Sequence, residues 1–149
     1  MAKVHYTDEE LRSRLTERQY RVTQEAGTEP AFANEYHDNT ADGVYHCVVC
    51  DEPLFSSDNQ FNSGTGWPSF DAPISSDKIE NRADRKWFIT RVENVCANCD
   101  AHLGHVFSDG RTKTTARYCM NSASLNFVPK TVEQPSEADP TNESEATQS

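Results

Sequence analysis

Cys47-Val48-Val49-Cys50-Asp51 and Cys96-Ala97-Asn98-Cys99-Asp100 decide how this chain must fold. Each is a C-x-x-C pair followed by an aspartate, and Leu54 and Leu103 stand at the same further offset. Two residues between cysteines let both sulfurs of a tight turn reach one ion, and zinc takes four such ligands in a tetrahedron. Two knuckles therefore make one site, with Cys47, Cys50, Cys96 and Cys99 as ligands of a structural Zn2+. The gap from Cys50 to Cys96 exceeds the roughly 15–20 residues of a single zinc module. The site must instead join distant parts of a larger fold. A redox-active C-x-x-C and thiols that merely pack are the alternatives. A redox motif needs only one pair, and neither pair opens a recognisable helix after a strand.

Outward from the knuckles lie short segments rich in β-branched and aromatic residues, punctuated by Gly, Pro, Asn and Asp. Strands are expected at Val44–Val48, Pro53–Ser56, Trp87–Val92, Gly104–Phe107, Arg117–Met120 and Leu125–Val128. None alternates with a long helix, which favours a mainly antiparallel β fold over βαβ units. Helical signals are confined to the start. Thr7-Asp8-Glu9-Glu10 and Thr16-Glu17-Arg18-Gln19 have capping-box form, and Gly27 is a stop signal. They predict short helices over 8–15 and 17–26.

The 149 residues carry a formal charge of −10 and suit one domain with its own core. That charge argues against a nucleic-acid surface, whose affinity comes from Lys and Arg. Half of it lies in residues 131–149, where Glu133, Glu137, Asp139, Glu143 and Glu145 meet no Lys or Arg. Residues 131–149 read as an acidic, disordered tail on a 1–130 domain. No run of 18 apolar residues offers a membrane span, and the start lacks the apolar core of a secretory signal. An odd cysteine count in such a chain reads as metal and catalysis in a reducing cytoplasm.

The odd cysteine is Cys119. An unpaired cysteine is often a small buried hydrophobe, but its surroundings point further. Arg117 and Asn121 flank it at two residues on either side, so along a strand the three side chains would share a face. A guanidinium beside a thiol favours the nucleophilic thiolate. His102, His105 and Asp109 lie upstream in Ala101-His102-Leu103-Gly104-His105-Val106-Phe107-Ser108-Asp109-Gly110. His102 also has the spacing of a zinc ligand after Cys99, but four thiolates already fill that site. In Ser63-Gly64-Thr65-Gly66-Trp67-Pro68-Ser69-Phe70 a flexible loop leads into aromatics. Trp67 is either core or a pocket wall, its indole face suited to a sulfur-bound methyl group.

Together these segments resemble the methionine-R-sulfoxide reductases, the MsrB family. The likeness runs from about Leu15 to Pro129 through Tyr20–Pro30, Gly66–Phe70, His102–Phe107 with Asp109-Gly110, and Arg117–Leu125. It implies two antiparallel sheets with short N-terminal helices and a structural zinc on the two knuckles. It also implies reduction of methionine-R-sulfoxide in oxidised proteins or peptides. The family's nucleophile falls on Cys119, its histidines on His102 and His105, and its indole on Trp67, with Phe107 in the same substrate-facing motif. Its supporting polar groups fall on Asp109, Arg117 and Asn121. One departure is large, since many members carry a resolving cysteine where this chain has Thr65. A sulfenic acid on Cys119 would then need thioredoxin, glutathione with glutaredoxin, or another external thiol. A monomer is expected. The competing reading is a non-enzymatic binding module with an aromatic pocket around Trp67 and Trp87.

Overall fold

Thr7 and Thr16 each open a helix by the reciprocal bonds their sequences promise. The Thr7 hydroxyl accepts from Glu10 N–H at 3.1 Å while the Glu10 carboxylate accepts from Thr7 N–H at 2.8 Å. Thr16 and Gln19 repeat the arrangement. A cap of this kind contributes about 1 kcal/mol, and it sets the starts of α1 (Asp8–Arg14) and α2 (Glu17–Glu25). The left-handed residue that ends α2 is Ala26, at φ 55°, rather than Gly27. Gly27 is needed for closeness instead. Its N–H bonds the Arg21 carbonyl at 3.0 Å, and a Cβ there would sit 3.1 Å from the same oxygen.

The computed structural model describes residues 4–86 and 89–130, with backbone alone at 84–86 and 89–90. The tail at 131–149 and Trp87 lie outside the described residues. After the helices the chain is β: β1 (Gly43–Cys47), β2 (Pro53–Ser56), β3 (Gln60–Phe61), β4 (Ser69–Phe70), β5 (Ile79–Lys86), β6 (Ile89–Cys96), β7 (His102–Ser108), β8 (Ala116–Met120) and β9 (Leu125–Pro129). One sheet has the order β2-β1-β9 and the other β3-β4-β8-β7-β6-β5. The pairings in both are antiparallel. The expected mainly β fold of two antiparallel sheets with short N-terminal helices is thus present. Strands β3, β4 and β5 were not foreseen.

The core lies between the sheets. Phe55 of β2 stacks on Phe70 of β4 at 4.5 Å, and Tyr45 of β1 meets Phe70 edge-on at 5.2 Å. Such pairs add about 0.5–1.5 kcal/mol each beyond the area they bury. Leu54, Leu103 and Met120 fill the remaining space and are wholly buried. Tyr45 keeps its hydroxyl satisfied there, accepting from the Asn39 amide and donating to Gln60.

Each knuckle is the turn of a hairpin, one in each sheet. The first joins β1 to β2 and the second joins β6 to β7. Their geometry repeats as their sequences do. Asp51 and Asp100 both sit at φ 68°, and their N–H groups bond the carbonyls of Cys47 and Cys96 at 2.8 Å. Aspartate tolerates the left-handed region better than most residues. The two hairpins bring their sulfurs together and so tie one sheet to the other.

Candidate active site and metal centre

Cys47, Cys50, Cys96 and Cys99 present four Sγ atoms within 4.8 Å of one another. Cys47 Sγ lies 3.6 Å from Cys99 Sγ and Cys50 Sγ 3.7 Å from Cys96 Sγ. A tetrahedron of sulfurs at the usual ~2.3 Å from zinc has edges of about 3.8 Å. Those spacings suit metal ligation, and all five cysteines are free of disulfides. The four residues could therefore hold a metal ion, and His102 is not among them.

Cys119 lies on the sheet face away from the core. Its neighbours Tyr118 and Met120 point inward, Tyr118 towards Phe55 at 6.0 Å. Across the sheet the register runs Ser69, Cys119, His105, Glu93. Residues directly opposite on antiparallel strands share a face. Gly104 allows the tight fit of β7 on β8, because a Cβ there would fall 2.2 Å from the Cys119 carbonyl oxygen. Gly66, at φ +93°, turns the loop that leads to Trp67, and a Cβ on it would meet the Phe32 ring at 2.6 Å.

A cleft of about 90 Å³ opens over the sulfur, lined by Cys119, Trp67, His105, Phe107 and Asn121 together with Thr28 and Arg91. It has about three times the ~30 Å³ a water occupies in the liquid. Trp67 is fixed in its wall by an N–H bond to the Glu29 carbonyl at 3.0 Å. Asn121 lies just past the end of β8, still extended at φ −80° and ψ 132°, with its backbone N–H bonded to the Leu103 carbonyl at 2.9 Å. Its amide donates to the Leu103 carbonyl and its oxygen accepts from Glu29 N–H.

Three predicted residues stand behind the cleft rather than in its lining. His102 is buried, with Nδ1 2.6 Å from Glu93 Oε2 and its ring edge-on to His105 at 5.5 Å. A carboxylate at that nitrogen fixes the Nδ1–H tautomer of the neutral ring. Nε2 is left as a buried acceptor without a protein partner. Asp109 accepts from the Arg111 guanidinium and backbone N–H and from Arg117. The Arg111 bonds above all, and Arg117 after them, hold its carboxyl far below the usual carboxylate range. Arg117 also stacks over Phe107, its guanidinium carbon 4.9 Å from the ring centre. Burial pushes the Cys119 thiol up, against hydrogen bonds from Thr65 and Ser69 and a smaller pull from the Arg117 charge.

Sequence reading did not single out Glu29, Glu93 or Arg111. Glu29 is buried and its carboxylate accepts from the N–H groups of Ser122 and Ala123, holding the turn that follows Cys119. Arg111 bonds the Ser63 carbonyl as well as Asp109, which ties the glycine loop to the site. Glu29 does lie within the Tyr20–Pro30 segment that carried the family likeness. The other two gave no local signal.

The SelR domain family matches residues 15–129. The chain is 54 % identical over 127 residues to "Peptide methionine sulfoxide reductase MsrB" of Hahella chejuensis, covering 85 % of this chain and 91 % of that one. It is 56 % identical over 121 residues to the protein of the same name from Burkholderia multivorans, covering 80 % and 85 %. With "Methionine-R-sulfoxide reductase B3, mitochondrial" of Mus musculus it shares 54 % over 127 residues, 85 % of this chain and 50 % of the mouse protein. The chain belongs to the MsrB family of methionine-R-sulfoxide reductases.

Proposed function

We propose that this enzyme reduces methionine-R-sulfoxide in oxidised proteins and peptides through a sulfenic acid on Cys119. The observation that carries the reading is the placement of Cys119 beneath a cleft walled by Trp67, Phe107, His105 and Asn121. A sulfoxide sulfur is electrophilic, but its oxygen departs only when protonated. The Cys119 thiolate attacks that sulfur while His105 supplies the proton. The S–S bond formed by that attack breaks as the hydroxyl passes to the Cys119 sulfur, leaving the sulfenic acid on Cys119 and releasing the substrate as the thioether of methionine. Cys119 is oxidised by two electrons and the sulfoxide is reduced by two.

Trp67 and Phe107 enclose the methyl group, and Asn121 orients the oxygen or a water near it. His102, held by Glu93, sets the position of the His105 ring. Arg117 and Asp109 hold Phe107 and the end of the strands in place. Two equivalents of an external thiol, from thioredoxin or from glutathione with glutaredoxin, then return Cys119 to the thiol with loss of water. Thr65 offers no sulfur for an internal disulfide, and the other four cysteines are gathered in their own cluster. Zn2+ on Cys47, Cys50, Cys96 and Cys99 serves the fold, binding hairpin to hairpin. A chain whose five cysteines form no disulfide suits a reducing compartment such as the cytoplasm. Among the described residues no helix is long and apolar enough to cross a membrane.

Separated R and S epimers of methionine sulfoxide in a peptide, supplied with dithiothreitol, test the proposal. Turnover of the R epimer alone, lost in Cys119→Ser, is expected. Turnover of the S epimer, or activity surviving in that variant, would overturn it.

A further inference from the structure

Beside the sulfur lies a run of hydroxyls that the chemistry above does not use. Thr65 Oγ1 is 3.7 Å from Cys119 Sγ, Ser63 Oγ is 2.8 Å from Thr65 Oγ1, and Ser69 Oγ is 2.7 Å from Ser63 Oγ. The line ends on the Trp67 carbonyl, 3.1 Å from Ser69 Oγ. Ser63 and Ser69 are both buried, so their hydroxyls must be satisfied by one another rather than by bulk water. Each has one hydrogen to give, and only two consistent arrangements use them in line. With Cys119 as a thiol, S–H donates to Thr65, Thr65 to Ser63, Ser63 to Ser69, and Ser69 to the Trp67 carbonyl. With a thiolate every hydroxyl turns about. Ser69 donates to Ser63, Ser63 to Thr65, and Thr65 to the sulfur, while the Trp67 carbonyl gives up its donor.

We propose that Thr65, Ser63 and Ser69 form a hydroxyl chain that reverses its direction when Cys119 ionises and so stabilises the thiolate. Thr65 touches the reacting sulfur and Ser69 also hydrogen-bonds to it, whereas Ser63 is a positioning residue that acts through Thr65. Hydrogen bonds in such a chain polarise one another, and a bond to an ion is stronger than a neutral one. The loop is built to hold this geometry. Arg111 grips the Ser63 carbonyl, Asn62 accepts from Gly64 N–H, and Gly66 is seated against Phe32. Ser69 is placed by its strand, directly opposite Cys119. Where the family resemblance would place a resolving thiol, this chain thus carries a donor to the nucleophile.

The charged and titratable groups around the sulfur are His105 on β7, Arg91 and Glu93 on β6, and Arg117 with its partner Asp109. None of them changes in a Thr65 variant. The inference rests on Cys119 as the nucleophile, so its test reads the thiol and not sulfoxide turnover. The rate of Cys119 alkylation by iodoacetamide would be followed against pH in the metal-loaded protein, with the site read by mass spectrometry. Thr65→Val should move the midpoint up by about one pH unit, and Thr65→Ser should return it. Ser69→Ala should move it the same way by less, and it keeps the test open should Thr65→Val fold poorly. A midpoint unchanged in Thr65→Val and Ser69→Ala would overturn the hydroxyl chain. Equal displacement in Thr65→Val and Thr65→Ser would also overturn it, by assigning the effect to packing. Failure of the nucleophile assignment would look different, as sulfoxide reduction persisting in Cys119→Ser.

Discussion

Removing the Glu29 carboxylate should be costly although the residue takes no chemical step. Its two oxygens accept the N–H groups of Ser122 and Ala123, and the residue is only 3 % exposed. Glu29→Ala leaves both donors without their acceptor. A buried donor left unpaired costs about 1–3 kcal/mol, so two give roughly 2–6, and water entering the space offsets part of that. A loss near 3 kcal/mol is expected, read by urea unfolding of the metal-loaded protein, with a fall in Tm of about 10 °C. Glu29→Gln keeps an acceptor oxygen and should lose less. Burial raises the Glu29 carboxyl above its ordinary 4.5, outweighing its hydrogen bonds to Ala123 and Ser122. A raised folded value means that the group's contribution is complete in acid and is lost as pH rises through that value. The stability gap between the wild type and Glu29→Gln should therefore narrow as pH climbs past 4.5. A loss below 1 kcal/mol in Glu29→Ala, or a gap that widens with pH, would refute the reasoning.

Asp109 gives the opposite pH dependence. Its carboxyl is depressed by Arg111 first, so its contribution is present above the ordinary value of 3.8 and lost as pH falls through the folded value. Asp109→Asn should flatten the acid limb of a Tm-against-pH curve, and an unchanged limb would contradict the ion-pair account. Stripping metal with a chelator should lower Tm by about 10 °C or more. Below that new Tm, Cys119 alkylation should keep its wild-type rate, because the knuckles join hairpins and supply no group to the cleft. A rate that falls with the metal while the fold persists would give the ion a place in the chemistry.

What could be read from the sequence was what depends on neighbours in the chain. The capping boxes and knuckle turns are local, and the Asp51 and Asp100 echo announced two copies of one turn. The strands foreseen at Pro53–Ser56 and Leu125–Val128 carry apolar residues into the core, and their boundaries fall within a residue of β2 and β9. Strand β5 escaped because it is a sheet edge. Ile79-Glu80-Asn81-Arg82-Ala83-Asp84-Arg85-Lys86 lacks the alternation a buried face imposes. Strands β3 and β4 have two residues each, too few for any periodicity.

The site divides in the same way. The types and spacing of Cys119, His102 and His105 suggested chemistry, but Glu29 finds its partners 93 and 94 residues away and Arg111 reaches Ser63 across 48. Such contacts leave no mark on local pattern. Asn121 lines the cleft beside Cys119, as two-residue spacing along an extended chain suggests. The 3-10 turn at Ser122–Ser124 follows it, and the Asn121 side-chain amide bonds the Leu103 carbonyl at 3.1 Å. Thr65 read only as a missing thiol until its hydroxyl was seen beside the sulfur.

The central claim is that one thiol takes the oxygen and keeps it until an outside reductant arrives. A single turnover of the metal-loaded enzyme on a methionine-R-sulfoxide peptide, without reductant, tests it most directly when a sulfenic-acid trap and mass spectrometry follow. The account predicts the trapped adduct on Cys119 and four unmodified knuckle cysteines. A disulfide between Cys119 and Cys47, Cys50, Cys96 or Cys99, or an unmodified Cys119 after product has formed, would contradict it.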